Sequence, residues 1–144
     1  MRALSLLLFF VLTAIAGLHA YWAIGGLWPG ATEEELIRTV IGDPGFKRMP
    51  PAWMTFTVSG LLITAAFIGL SASGVAPIGW GWLARIGATG VALVFLARGA
   101  ATYRLPGVAA GLTEPFATYN IWLYSPLCIA LGAGFVMVAA VGRR

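Results

Sequence analysis

The chain has 144 residues, of which 60% are hydrophobic and only 10% are charged, and its formal net charge is +4. Soluble domains carry roughly a quarter charged residues, so this composition excludes aqueous enzyme domains, DNA-binding modules and disordered tails. The basic residues lie at the ends of apolar runs, which predicts a lipid bilayer as partner and no nucleic acid. The single cysteine, Cys128, excludes an intrachain disulfide and a two-cysteine redox centre.

Four apolar runs are long enough to cross a bilayer as helices. A hydrocarbon core about 30 Å thick needs roughly 20 apolar residues per helix. We predict transmembrane helices over about residues 3–24, 52–70, 80–101 and 119–141, within a single membrane domain that covers residues 1–144. The expected fold is all-α: a polytopic membrane protein built as a compact bundle of four transmembrane helices.

The connector between the first two spans contains a further helical pattern. Thr32 and Glu35 have the spacing of a capping box, and three consecutive acids lie where a helix N-terminus favours negative charge. Apolar residues follow at helical spacing up to Ile41. We therefore predict a short amphipathic helix from Thr32 to Ile41 that lies on the membrane surface and does not cross it.

Basic residues predict the orientation of the chain. Four helices place both termini and the second turn on one side, and that side carries Arg2, Arg85, Arg143 and Arg144 with no acidic residue. Positive residues next to the spans are typical of the cytoplasmic side. We predict that both termini are cytoplasmic.

Polar residues from several spans fall in the outer half of the predicted bundle. His19 is the only histidine and lies about one turn inside the outer end of the first span, and Arg98 lies at a similar level on the third. On the fourth span, residues spaced by four share one face of a helix. The expected polar or ligand-binding cluster consists of His19, Trp22, Arg98, Asn120, Tyr124 and Cys128.

Several interpretations of this cluster stay open. It is either a ligand-binding pocket or a structural lock between helices. His19 either bonds to a backbone carbonyl or has a ligand or proton role, with single axial haem ligation as one form. Arg98 either reaches the headgroups or holds an anion or a carboxylate such as Glu114. Ser125-Pro126 either kinks the helix and frees the Trp122 carbonyl, or makes Ser125 an N-cap.

The residue types also restrict the chemistry. No acid lies in a predicted span, so a carboxylate relay for proton-coupled antiport is lacking. We predict no metal site of several His, Cys or Asp ligands and no catalytic residue, and the sequence does not identify a cofactor. The leading hypothesis is a non-enzymatic membrane protein, either an accessory subunit of a larger complex or a binder of a small amphipathic ligand. The alternatives are a small transporter or channel assembled as a homo-oligomer, and an intramembrane enzyme that uses His19.

Three segments together resemble a known family: LHAYWAIGG at residues 18–26, FLARG at 95–99 and YSPLC at 124–128. The family comprises short four-helix integral membrane proteins of bacteria, known only as a domain of unknown function. The resemblance implies a four-helix fold in the bacterial cytoplasmic (inner) membrane and no particular activity. It also implies the motif positions His19, Trp22, Arg98, Tyr124, Pro126 and Cys128.

Overall fold

The computed structural model describes residues 1–76, 78–105, 107 and 110–141, and these residues form helices joined by loops, without strands. The helices are α1 (Arg2–Ala23), α2 (Glu33–Val40), α3 (Ala52–Ser73), α4 (Gly81–Arg104), α5 (Phe116–Tyr119), a π-helical turn (Asn120–Tyr124) and α6 (Ser125–Val141). α5, the π-helical turn and α6 follow one another without interruption. We call this continuous segment, Phe116–Val141, the fourth span.

Within the described ranges, four helical segments are long and apolar enough to cross a membrane: α1, α3, α4 and the fourth span. Large apolar side chains cover their outer faces; for example, Phe10 is 65% exposed and Val94 is 69% exposed. Exposed apolar surface of this extent is unfavourable in water but ordinary in lipid. The predicted all-α fold with four such helices is confirmed, and the chain has the properties of a multi-pass membrane protein.

Three of the spans extend further into polar sequence than predicted. α3 continues to Ser73, α4 continues to Arg104, and the fourth span begins at Phe116. The additional residues have partners inside the protein: Ser73 Oγ donates to the Leu70 carbonyl over 3.0 Å, and Thr102 is buried at the end of α4. A helix can continue through hydroxyl residues that have hydrogen-bond partners or are buried in the protein. In the sequence, the same polar residues indicated the end of the apolar span.

The long helices pack as two pairs. α1 lies along α3, α4 lies along α6, and a contact between α3 and α4 joins the pairs. Ser59 links the first pair, because its hydroxyl donates to the Ala16 carbonyl over 2.8 Å. Phe135 is fully buried and its ring stacks on Phe95 with centroids 6.3 Å apart, which fills the space between α4 and α6.

Glycine allows α4 and α6 to approach each other closely. A Cβ atom added at Gly99 would lie 2.8 Å from the Ser125 carbonyl oxygen, and one added at Gly132 would lie 3.0 Å from the Leu96 backbone nitrogen. Both distances are shorter than the usual van der Waals contact of a Cβ atom with an oxygen or nitrogen atom. The two backbones are therefore in direct contact, as small residues allow between membrane helices.

The amphipathic helix α2 has the predicted cap. Thr32 Oγ1 accepts the Glu35 backbone N–H over 3.2 Å, and the Glu35 carboxylate accepts the Ala31 N–H over 2.8 Å. Leu36 is buried on the inner side of the helix. Gly42, with φ of +70°, ends the segment, and its N–H donates to the Ile37 carbonyl.

Candidate functional site

Four polar side chains join α4 to the fourth span. Arg98 Nη2 donates to Asn120 Oδ1 over 2.9 Å, and Asn120 Nδ2 donates to Thr102 Oγ1 over 3.0 Å. Ser125 Oγ lies 2.8 Å from Thr102 Oγ1 and 3.2 Å from Asn120 Oδ1. We call these four residues the Arg98 network.

Three members of the Arg98 network form its buried base. Asn120, Thr102 and Ser125 are 2%, 7% and 0% exposed. A hydroxyl donates one proton and accepts another, and an amide does both, so the three side chains can close a ring of hydrogen bonds. A buried polar ring that is satisfied in this way holds its members in one geometry.

Arg98 is the outward-facing member of the network. Arg98 is exposed. Its second hydrogen bond, from Nη1 to Thr102 Oγ1, is long at 3.5 Å. Both partners are neutral, so they orient the guanidinium without cancelling its charge. Arg98 lies six residues before Arg104, which ends α4, or about 9 Å along the helix at 1.5 Å per residue. A positive charge is thus held within the third candidate span, on the outside of the helices.

The π-helical turn explains how the fourth span contains Pro126. The Ser125 N–H donates to the Asn120 carbonyl five residues earlier, and the Ser125 backbone is helical with φ of −71° and ψ of −44°. Ser125 is therefore not an N-cap. The freed carbonyl that finds a side-chain donor belongs to Ile121, not to Trp122, because the π turn moves the hydrogen-bond register by one residue. Its donor is the Tyr103 hydroxyl.

Tyr124 lies outside the Arg98 network. Its hydroxyl donates to the Thr39 carbonyl of α2 over 3.0 Å, and its ring packs against Phe116 with centroids 5.5 Å apart. Asn120 and Tyr124, which the sequence placed in one cluster, therefore have different hydrogen-bond partners.

The first connector, residues 24–51 between α1 and α3, is also joined to residues 113 and 114 just before the fourth span. The Thr113 N–H donates to the Gly42 carbonyl over 2.8 Å, and Arg38 Nη2 donates to the Glu114 carbonyl over 3.2 Å. With the Tyr124 contact, these bonds fix α2 over the beginning of the fourth span.

His19 belongs to a separate region. Its Nδ1 lies 2.9 Å from the Ile15 carbonyl on its own helix, and its ring meets Trp22 edge-on with centroids 5.1 Å apart. Both side chains line a groove of about 240 Å³ between α1, the first connector and α3. α1 packs on α3, whereas the Arg98 network lies between α4 and the fourth span. The single outer cluster expected from the sequence is therefore two regions.

Cys128 is the remaining predicted site residue. It is a free, half-buried thiol on α6, one turn beyond Tyr124. Among the residues with described positions, no group of three or more His, Cys, Asp or Glu side chains could hold a metal ion.

Sequence reasoning missed Thr102, which all three other members of the Arg98 network contact. Its position could have indicated this role, because Thr102 follows Arg98 by four residues and the two therefore share one face of α4. Ser125 was considered only for its backbone, although its side chain is the fully buried part of the network.

Comparison with known proteins identifies a family but no characterised relative. No curated protein and no solved structure matches the chain. Residues 12–135, most of the chain, match the family described as protein of unknown function (DUF3995). The match includes all six predicted site residues. The chain therefore belongs to the DUF3995 family of proteins of unknown function.

Proposed function

We propose that this protein is a non-enzymatic membrane protein that binds an anionic amphipathic molecule at Arg98. The observation that carries the proposal is an exposed arginine, within a candidate membrane span, whose two hydrogen-bond partners are neutral. An arginine at the centre of a membrane helix costs about 2.5–3.5 kcal/mol on insertion scales, and Arg98, about 9 Å from the end of α4, bears part of that cost. An anionic headgroup would offset that cost more fully than an amide oxygen.

The surroundings of Arg98 suit an amphipathic ligand. Val94 lies one turn further into the span on the same side of α4 and is 69% exposed. Gly90 follows after a further turn, and the space where its Cβ would lie is open. An acyl chain can lie along this strip while its phosphate or carboxylate meets the guanidinium. The buried base of Asn120, Thr102 and Ser125 keeps Arg98 oriented before the ligand arrives, which lowers the entropic cost of binding.

The test compares two lipids that differ in headgroup charge. Native mass spectrometry of the detergent-purified protein should show more retained phosphatidylglycerol than phosphatidylcholine. Arg98→Leu should remove this preference, and Asn120→Leu should weaken it. Arg104→Gln is the matched control, because it removes an exposed cation at the end of the same helix and should retain the preference. Equal retention of the two lipids by the wild-type protein would refute the proposal.

An accessory role in a larger membrane complex, or a homo-oligomer, is the alternative supported by the same charge. In that case a carboxylate of a neighbouring subunit would pair with Arg98. Purification in a mild detergent would then yield a stable assembly that Arg98→Leu dissociates, with no preference for anionic lipid. These results separate a protein partner from a lipid ligand.

We also propose that the four spans form a bundle in a bacterial cytoplasmic membrane with both termini in the cytoplasm. Support comes from Arg85, whose Nε donates to the Ala139 carbonyl in the last turn of α6, so that a basic residue of α4 lies at this end. In a Cys128→Ser background, an impermeant thiol reagent applied outside should label cysteines introduced at Glu34 and Thr113 but not at Ser73. The reverse pattern would invert the orientation.

A further inference from the structure

The groove beside His19 combines one imidazole with two thioethers. Met49, which precedes the two prolines of the first connector, and Met54, in the first turn of α3, line it together with His19 and Trp22. The groove volume of about 240 Å³ is below the roughly 300–1,000 Å³ of pockets for drug-sized ligands. The groove is therefore small for a drug-sized ligand, and its imidazole and thioether groups are donors that bind soft metal ions.

The hydrogen bond of His19 determines which ring nitrogen is available. The Ile15 carbonyl can only accept, so Nδ1 must carry the proton of that 2.9 Å contact. In neutral imidazole the lone pair is then on Nε2. An Nδ1–H bond to a backbone carbonyl is the usual support of a histidine that ligates a metal through Nε2.

The backbone of Met49 and the indole of Trp22 are held in place as well. The Met49 N–H donates to Glu33 Oε1 over 2.7 Å, which anchors the connector and brings a carboxylate next to the Met49 backbone. Trp22 Nε1 donates to the Trp28 carbonyl over 2.7 Å, and this bond fixes the indole beside His19. An indole ring attracts cations through its π face.

We propose that this groove binds one copper(I) ion through His19 Nε2 and the sulfur atoms of Met49 and Met54, with Trp22 covering the site. Thioethers are soft ligands that select copper(I) over the harder divalent metals. All three donors are neutral, so a monovalent ion is favoured: the desolvation energy scales with the square of the charge, which makes it about one quarter of that of a divalent ion of equal size. This site is independent of the ligand proposed at Arg98.

The experiment measures competition for copper(I). The purified protein, with Cys128→Ser to remove the free thiol, is titrated anaerobically with the copper(I) complex of bicinchoninate. The protein should withdraw one copper(I) per chain. Met49→Leu, Met54→Leu and His19→Gln should each lower the affinity at least tenfold. X-ray absorption should show sulfur neighbours of the metal that decrease in either methionine variant.

Met137→Leu is the matched control, because Met137 is an exposed thioether on α6, outside the groove, and should leave the affinity unchanged. Arg98→Leu should also leave copper binding unchanged, so failure here is distinguishable from failure of the lipid proposal. Leucine is close to methionine in size, and a melting curve in detergent verifies that each variant is folded. Loss of all binding in Cys128→Ser, or undiminished binding when His19, Met49 and Met54 are all replaced, would overturn the site.

Discussion

The hydroxyl of Tyr103 donates to the backbone carbonyl of Ile121, and this bond joins the end of α4 to the π-helical turn of the fourth span. The Ile121 carbonyl has lost its helical donor, because Ser125 bonds to Asn120 instead and Pro126 has no N–H. A side chain from a neighbouring helix thus replaces a backbone hydrogen bond. Membrane helices tolerate an internal proline when the freed group is satisfied in this way.

Tyr103→Phe should destabilise the protein, because it leaves the Ile121 carbonyl without its donor. We expect a loss of about 1–2 kcal/mol of unfolding free energy, observed as a lower melting temperature in detergent. Tyr119→Phe is the control, since Tyr119 is also an exposed tyrosine at this end of the protein, and its ring contact with Tyr124 survives loss of the hydroxyl. Equal melting temperatures for the two variants would contradict the role of Tyr103.

Gly99→Ala should separate α4 from α6, because the added Cβ would lie 2.8 Å from the Ser125 carbonyl and 2.6 Å from Ile129 Cγ1. Overpacking of this kind costs typically 1–3 kcal/mol. Gly90→Ala on the same helix meets nothing within 4 Å and should be neutral or stabilising, because alanine favours helix. Gly99→Ala should therefore melt at a clearly lower temperature than the wild type, and Gly90→Ala at the same or a higher temperature. A stable Gly99→Ala protein would show that the backbones are not in contact.

The number of long helices and the capped surface helix could be predicted from the sequence because both depend on local patterns. Apolar length determines a span, and the Thr32–Glu35 spacing determines a cap. The pairing of Arg98 with Asn120 could be predicted only in part. Both were placed at one depth, but depth does not show which helices are neighbours.

The grouping of His19 with Arg98 was wrong for that reason. Matching depth placed them together, whereas α1 packs on α3 and Arg98 bonds to the fourth span. The partner of Tyr124 could not be predicted either, because it is the Thr39 carbonyl in a connector 85 residues away in the chain. The proline in Ser125-Pro126 signalled an irregular backbone without determining its form.

Gly42→Ala should detach α2 from the fourth span. The Gly42 backbone has φ of +70°, and a Cβ there would overlap the ring of Phe116. Gly79→Ala is the matched control, because Gly79 has φ of +65° but open space around its Cβ position. Backbone strain of about 1 kcal/mol is common to both, so any additional loss in Gly42→Ala measures the contact with Phe116. Hydrogen exchange of residues 33–40 should accelerate in Gly42→Ala alone. Unchanged exchange there would contradict the docking.

Thr102→Val should disrupt the base of the Arg98 network while preserving the shape of the side chain. Asn120 Nδ2 would lose its 3.0 Å acceptor and Ser125 would lose its 2.8 Å partner, both in a buried environment. Buried polar groups left unsatisfied cost about 1–3 kcal/mol each, so we expect a melting temperature well below that of the wild type.

Thr89→Val is the control on the same helix, because Thr89 is exposed and its hydroxyl bonds only to the Arg85 carbonyl one turn earlier. It should change the unfolding free energy by at most about 0.5 kcal/mol. If the two variants were equally stable, the network would contribute nothing to the fold, and the orientation of Arg98 would need another explanation.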